Sequence, residues 1–548
     1  MWRIQIGAIA LAVLAASACA HSKGGGRAGD VVYLDQGWGA EERQIFYRAS
    51  QGTRLLPLRW FLALEREDSA ERFAASDAMA RYRFIEDPGS KDNPERLPVG
   101  FARDVDAATG EEYVGFTCGA CHTRQLSYRG AKIRIDGGPA TIDVVAFTDA
   151  VFNALDRTLK TPDKLDRFAR AVLREQQVDE ASVRALRGQM EKALEVVRLQ
   201  SVSGGAGGPH ATVAGFGRLD ALGRAGNLLF GQLDPRNLRA TNAPADYPHL
   251  WDATTYDWVQ WNGSIMQPMA RNIAEALGVG THTQLIPDAQ GTRMEVRSSI
   301  RVDNLHLIEQ QVEKLRAPRW PERLFGRIDQ EQAARGRRLF RRHCASCHDP
   351  GLTRPNEHGK RFRRATMSPL DLIGTDPAHA VSFNERTADL GALGLGTLGM
   401  AQALEIGTWA IRETKYEAYG LSPEQRRAWD GYRPNRWRAP LAYRARELNG
   451  IWATAPYLHN GSVPSLYELL LPAERRSKRF YLGSAEFDPK RVGLRVEPFQ
   501  GGFELVTDRP GNSNAGHEYR DGPRGKGVIG PALTDAERWE LIEYLKTL

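Results

Sequence analysis

Two short stretches constrain this chain more than any others. Cys118-Gly119-Ala120-Cys121-His122 and Cys344-Ala345-Ser346-Cys347-His348 each read Cys-x-x-Cys-His, the attachment signature of a c-type haem. Two thiols on one turn of chain reach both vinyl groups of a porphyrin as thioethers. The adjoining His lies under the iron and supplies an axial nitrogen. A redox dithiol or half of a zinc site would use the same cysteines. A zinc site needs further ligands, and no second Cys pair lies at zinc-finger spacing from either motif. Two copies, each followed by His, point to two covalently bound haem c groups.

The 548 residues allow two to four domains, and 42% hydrophobic with 26% charged residues make a soluble body with a real core. The net charge of +7 is compatible with an acidic redox partner protein or an anionic membrane surface. With no dense Lys/Arg run it gives no support for a nucleic-acid partner. Four of the five cysteines belong to the motifs. The fifth, Cys19, follows Arg3 and an apolar run over residues 4–15. Residues 1–18 read as a secretory signal, too short for a transmembrane helix. Ala16-Ser17-Ala18 before Cys19 resembles a bacterial lipobox, with Ala16 where Leu is usual. Lipidation of Cys19 and ordinary cleavage nearby are both open. Residues 19–40, with Gly24-Gly25-Gly26, read as a flexible tether. Export is expected, to the periplasm or cell surface, with Cys19 as a candidate membrane anchor.

Residues 54–64, with Leu55, Leu56, Leu58, Trp60 and Phe61, read as core. Leu165, Phe168 and Val172, then Val183, Leu186, Met190, Leu194 and Val197, recur at helical spacing. They predict helices packed over the first haem domain, with Met190 in the core. Ser203-Gly204-Gly205-Ala206-Gly207-Gly208-Pro209 reads as a hinge, since it lacks the strand and the Gly-Lys-Ser/Thr ending of a phosphate loop. Trp251, Tyr256, Trp258 and Trp261 crowd before Asn262-Gly263-Ser264, and Trp452, Tyr457 and His459 precede Asn460-Gly461-Ser462. Each half thus carries a haem motif and, far downstream, an aromatic Asn-Gly-Ser loop, an internal duplication. Pro318 and Pro321 stop the helix predicted over residues 305–315 and mark a linker over residues 316–321. Asp329 reads as the N-cap of a helix running into the second motif. Thr534-Asp535-Ala536-Glu537 is a capping box opening a last helix that crosses it. The expected fold is mainly α: two cytochrome c-like haem domains, residues 41–320 with a helical insertion and residues 321–548, joined by long loops.

The face of each iron opposite His122 and His348 decides function: a sixth protein ligand makes an electron-transfer haem, and an open face binds oxygen or peroxide. For the second haem the candidates are His517, in a Gly-rich loop before the last helix, Met367, Met400 and His459. In the first half His210, His249, His282 and His306 have no distinguishing context.

Tyr113-Val114-Gly115-Phe116-Thr117-Cys118-Gly119-Ala120-Cys121-His122-Thr123, Asp257-Trp258-Val259-Gln260-Trp261-Asn262, residues 448–462 and Gly516-His517-Glu518-Tyr519 carry a resemblance. The chain resembles the secreted bacterial dihaem proteins that include the rubber oxygenases RoxA and RoxB, related fatty-acid dioxygenases and, at greater distance, MauG and dihaem cytochrome c peroxidases. The likeness covers most of the chain after residue 50. It implies a reactive N-terminal haem on His122, and a second haem held by His348 and His517. It implies a calcium ion between the haems, with carbonyl ligands at Thr454 and Pro456 and a third group at Asp252. Oxygen-rich coordination suits calcium. Trp251, Trp258 and Trp261 would bridge the haems or line the distal pocket, with ordinary core packing as the alternative for each.

Three functions stay open. A dioxygenase would use the N-terminal haem to bring dioxygen to an unsaturated apolar substrate, a polyisoprenoid or a fatty acid. A cell-bound Cys19 would sit poorly with attack on an external polymer. A peroxidase would reduce hydrogen peroxide with electrons from the C-terminal haem, and needs a distal acid-base group such as Gln260 or Glu275. A plain electron-transfer cytochrome would have both irons six-coordinate.

Overall fold

The helix that leads into the second motif shows how local chemistry builds the site. Asp329 caps it, accepting from the backbone N–H groups of Glu331 and Gln332. Ala333, Gly336 and Phe340 fall on one face and are buried, and Arg341, Arg342 and His343 fill the last turn, where positive charge suits the helix dipole. This helix, Gln330–His343, runs straight into the turn Ala345–His348. The last helix, Asp535–Lys546, opens with the expected box: Thr534 Oγ1 accepts from Glu537 N at 3.2 Å, and the Glu537 carboxylate accepts from Thr534 N at 2.8 Å. The two helices cross at Gly336, where an added Cβ would sit 1.9 Å from the Glu540 carbonyl oxygen. Phe340 and Tyr544 pack beside the crossing with ring centres 5.1 Å apart.

The computed structural model describes residues 31–173, 178–203, 212–287 and 294–548. Cys19 with its signal-like run, the Gly24-Gly25-Gly26 tether, the Gly-rich stretch 204–209 and His210 lie outside the described residues. No helix among the described residues is long and apolar enough to cross a membrane.

The expectation of a mainly α fold is corrected. The protein is 40% helical and 18% strand, a mixed α/β architecture, with its strands scattered through sheets of two or three. Strands of two to six residues are too short for an alternating pattern to stand out against the helical stripes around them. The hairpin after the first motif is an example. Thr123–Tyr128 pairs with Ala131–Asp136 through Arg129 and Gly130, with φ of 49° and 82°. Two positive values make the two-residue turn whose twist matches its strands. Leu126, Ile133 and Ile135 all face the core.

Among the described residues three large apolar cores hold the molecule, with a small fourth around Phe480, Leu482 and Leu505. The first gathers Leu55, Leu56, Leu58, Trp60 and Phe61 with the inserted helices Val144–Lys160, Pro162–Val172 and Glu180–Ser203. Leu165, Phe168, Val172, Leu186, Met190 and Val197 are buried there, as the helical spacing predicts. The second joins Trp38, Leu126 and Ile133 to Phe340, Trp452 and Leu541, so it packs both motif-bearing regions together. The third lies among the helices Ala221–Phe230, Pro268–Gly278 and Met400–Ala418. The helix Val302–Lys314 ends just ahead of the two prolines.

The duplicated loops fold alike. Val259 and Ile265 form an antiparallel bridge around Asn262-Gly263-Ser264, and Tyr457 and Val463 do the same around Asn460-Gly461-Ser462. Gln260 and Gly263 have φ of 70° and 61°, and Leu458 and Gly461 have 64° and 63°. Upstream, Asp252 and Gly450 sit at left-handed φ of 62° and 63°, and each opens a one-turn 3-10 helix. Residues 248–265 and 446–463 are therefore two copies of one backbone unit.

Gly336→Ala should force the crossing helices apart. The expected cost is about 1–3 kcal/mol of overpacking, read as a lower denaturation midpoint with an unaltered m-value.

Candidate functional site

The second motif opens into a large cavity walled by apolar residues such as Ile373, Ile451, Leu469, Leu470 and Leu545. His348 stands on one wall, with Nδ1 donating to the Arg446 carbonyl at 2.7 Å. Its Nε2 lone pair is left for the cavity. His517 faces it, with ring centres 6.3 Å apart and planes at 68°. Two imidazoles bound to one metal at ~2 Å per nitrogen hold their ring centres about 6 Å apart, so this gap fits one iron between them. Of the two His517 ring nitrogens, Nδ1 is sealed in protein without a partner, and the ring lines the cavity. Burial lowers the pKa of His348 and takes that of His517 to about 3. Both rings are therefore neutral, the form that binds metal.

The His517 loop is held in a costly shape. His517 has φ of 47°, rare for a residue with a side chain. Gly516 before it packs so closely on the chain at 373–375 that a Cβ would meet the Ile373 carbonyl at 2.4 Å. Buried Arg476 pins the arrangement. Its guanidinium donates to the carbonyls of Asn514, Gly516 and His517, and also to Leu469 and Leu471. Strain of this kind persists where the surroundings over-determine it. The sequence reading missed Arg476, because nothing local separates it from other Arg residues.

The first motif sits on the turn Cys118–Cys121, capped by Thr117, whose Oγ1 accepts from Gly119 N at 3.1 Å. His122 repeats the geometry of His348: Nδ1 donates to the Pro248 carbonyl at 2.8 Å, and burial takes its pKa down to about 4. A charged group lies close by. Gln260 Nε2 donates to Glu275 Oε1 at 3.1 Å, Arg271 stands 3.9 Å from the same carboxylate, and Arg271 is ion-paired with Glu309. Glu275 and Arg271 are near enough to act electrostatically on the Cys118 thiol. Burial raises the Glu275 pKa, against the pull of Arg271.

Between the motifs the two repeated segments meet. His249 Nε2 contacts Glu447 Oε1 at 3.1 Å. Trp251 stacks on the His249 ring at 4.5 Å and donates from Nε1 to the Asn449 carbonyl at 2.7 Å.

The predicted residues divide clearly. Of the four candidates for the second sixth ligand, His517 stands opposite His348. His459 lines the cavity but stacks on Tyr443 at 3.9 Å. Met367 is in a strand paired with Arg444, and Met400 is buried in the third core. Trp261 lines the cavity and donates to the Asp246 carbonyl at 2.8 Å. Trp258 lies under the Arg438 guanidinium at 3.9 Å and packs on the third core. His282 packs edge-on against Tyr113, and His306 stacks on Trp429.

The three residues named for calcium line two different hollows. Thr454 and Pro456 line the cavity, whereas Asp252 accepts from Asn449 Nδ2 at 2.7 Å and faces a different hollow beside Glu313 and Lys314. The carboxylates sharing the cavity with Thr454 and Pro456 are Asp246 and Glu447, neither of which carries a sequence signal.

A Cys-x-x-Cys-His turn set against an opposed imidazole across an apolar cavity defines a cytochrome c-type domain. A family model described as RoxA-like, cytochrome c-like matches residues 442–481, which implies haem c and a cytochrome oxidoreductase. The matched stretch holds the second repeat, including the carbonyl that anchors His348. The chain belongs to the same family as y4iJ, an uncharacterized protein of Sinorhizobium fredii (strain NBRC 101917 / NGR234). The two are 40% identical over 566 residues, covering 94% of this chain and 93% of that protein. A second protein of that strain, the uncharacterized y4iM, is 30% identical over 315 residues, 55% of this chain and 64% of its own length.

Arg476→Met should leave five buried carbonyls without their donor. The expected loss is on the order of 3 kcal/mol, with faster hydrogen exchange at the amides of residues 514–519 than elsewhere in the C-terminal half.

Proposed function

We propose that the chain is an exported dihaem c-type oxidoreductase, with one haem on Cys118, Cys121 and His122 and a second on Cys344, Cys347, His348 and His517. The observation that carries this reading is the pair of opposed rings, His348 and His517, spaced for one iron. Haem c, when bound, supplies an iron that changes oxidation state and takes small molecules at any axial position the protein leaves open. The chain's own residues do the rest. Pro248 and Arg446 fix the tautomer and plane of the two proximal imidazoles. Arg476 holds the loop that presents His517, so the second site is closed by two imidazoles and suited to electron transfer. Trp261 lies on the cavity wall toward the first half.

The first site is the reactive one in this reading. The RoxA-like match supports a dioxygenase of an unsaturated apolar substrate, a polyisoprenoid or a fatty acid. Both atoms of dioxygen then end in the product at the cleaved double bond, with no net electrons required. One observation supports peroxide reduction as a second reading: the half-buried Gln260–Glu275 pair beside the first motif. A carboxyl with a raised pKa can hold and return a proton, as a hydrogen peroxide that takes two electrons and two protons to leave as two waters requires. The proposed chemistry has no step through calcium.

Haem counting by pyridine haemochrome and intact mass tests the core of the reading. Two haems are expected in the wild-type protein, and one less when both cysteines of either motif become Ala. His517→Ala should turn the second haem from low-spin to high-spin in EPR; an unaltered low-spin signal would return the sixth position to another residue. Oxygen uptake with linoleate or polyisoprene, without peroxide, supports the dioxygenase. Turnover that requires peroxide and a reduced cytochrome overturns it in favour of the second reading, in which Glu275→Gln lowers the peroxide rate by on the order of 100-fold.

A further inference from the structure

The two proximal imidazoles are tied to one shared unit. His122 hydrogen-bonds the Pro248 carbonyl and His348 that of Arg446. These carbonyls belong to the first residues of the two copies, 248–265 and 446–463. The next residues, His249 and Glu447, meet side chain to side chain, and two positions on, Trp251 meets Asn449. Both contacts join residues 198 apart, the offset that carries one copy onto the other. Each residue therefore touches its own counterpart, the mark of a local two-fold axis. That axis runs through His249 and Glu447, which are 4% and 2% exposed.

The pair carries one negative charge, on Glu447, and lies buried at the cavity wall, where two guanidiniums face it. Arg446 donates to the His249 carbonyl at 2.8 Å and to Glu447 Oε1 at 2.9 Å, and Arg444 stands 3.5 Å from Glu447 Oε2. A carboxylate in such a dry place acts strongly over several ångströms. Glu447 adjoins Arg446, whose carbonyl anchors His348, and through its side chain it touches His249, which adjoins Pro248, the anchor of His122; the acceptor behind a ligating imidazole tunes the metal in front of it.

We propose that the buried His249–Glu447 pair is the coupling element of the protein: a side-chain link between the residues that follow the two anchoring carbonyls, through which the oxidation state of each haem is felt at the other. The proposal deepens the dihaem reading and rests on it. His249 and Glu447 act through His122 and His348, as positioning residues.

Potentiometric titration of the holoprotein, with the EPR signal of each haem followed separately, tests this. Glu447→Gln keeps the shape and removes the negative charge, so both midpoint potentials should move upward together. His249→Phe keeps the stack on Trp251 and drops the contact to Glu447, and should also move both; it carries the test alone if Glu447→Gln does not fold. A shift confined to one haem, or none at either, overturns the proposal. Fewer than two haems in the wild-type protein overturns the dihaem reading instead, so the two failures are distinguishable.

Discussion

The arrangement of both sites depends on one kind of interaction, a buried imidazole N–H donated to a peptide carbonyl. Pro248 and Arg446 supply the two acceptors. Each bond fixes which ring nitrogen carries the proton and leaves Nε2 facing outward as a neutral donor pair. Without it a ring at the end of a four-residue turn would be free to rotate. The carbonyls are themselves held, because their segments are pressed against each other in the middle of the molecule. The second core, which packs residues from both halves, keeps them there.

Around this common skeleton the two copies have diverged in chemistry while keeping their backbone. Trp261 and His459 occupy the same place in the two Asn-Gly-Ser loops, and both reach the cavity. His249 corresponds to Glu447, and Trp251 to Asn449. On the second side a strained loop pinned by Arg476 brings His517 opposite His348. On the first side a Gln–Glu–Arg group lies near the motif. A symmetric frame thus carries one site built from opposed imidazoles and one accompanied by titratable side chains.

Much of this was legible in the sequence, for physical reasons that differ from residue to residue. The motifs, the Asp329 and Thr534 caps and the stripe from Leu186 to Val197 are local signals, and local signals survive folding. His517 was legible through its loop and the family resemblance. The short strands were not, because two to six residues leave too little alternation to read. The repeat was visible only where side chains match, at Asn-Gly-Ser. Asp252 and Gly450 share a backbone conformation and no side-chain chemistry, so their equivalence needed coordinates. Asp252 itself was grouped with Thr454 and Pro456, but it faces another hollow, and Asp246 and Glu447 are the carboxylates that share theirs. Arg476 and the His249–Glu447 contact join residues far apart in the chain, and no window on the sequence contains both ends.

The burial of the first Cys-x-x-Cys-His turn has a consequence for the order of assembly. Burial raises the thiol pKa at both Cys118 and Cys121, the latter to about 12, and a thiol adds to a vinyl group as its thiolate. In the finished fold these half-buried sulfurs would be poor nucleophiles. On the dihaem proposal, porphyrin attachment at the first motif therefore belongs to the open chain, before the core closes over it.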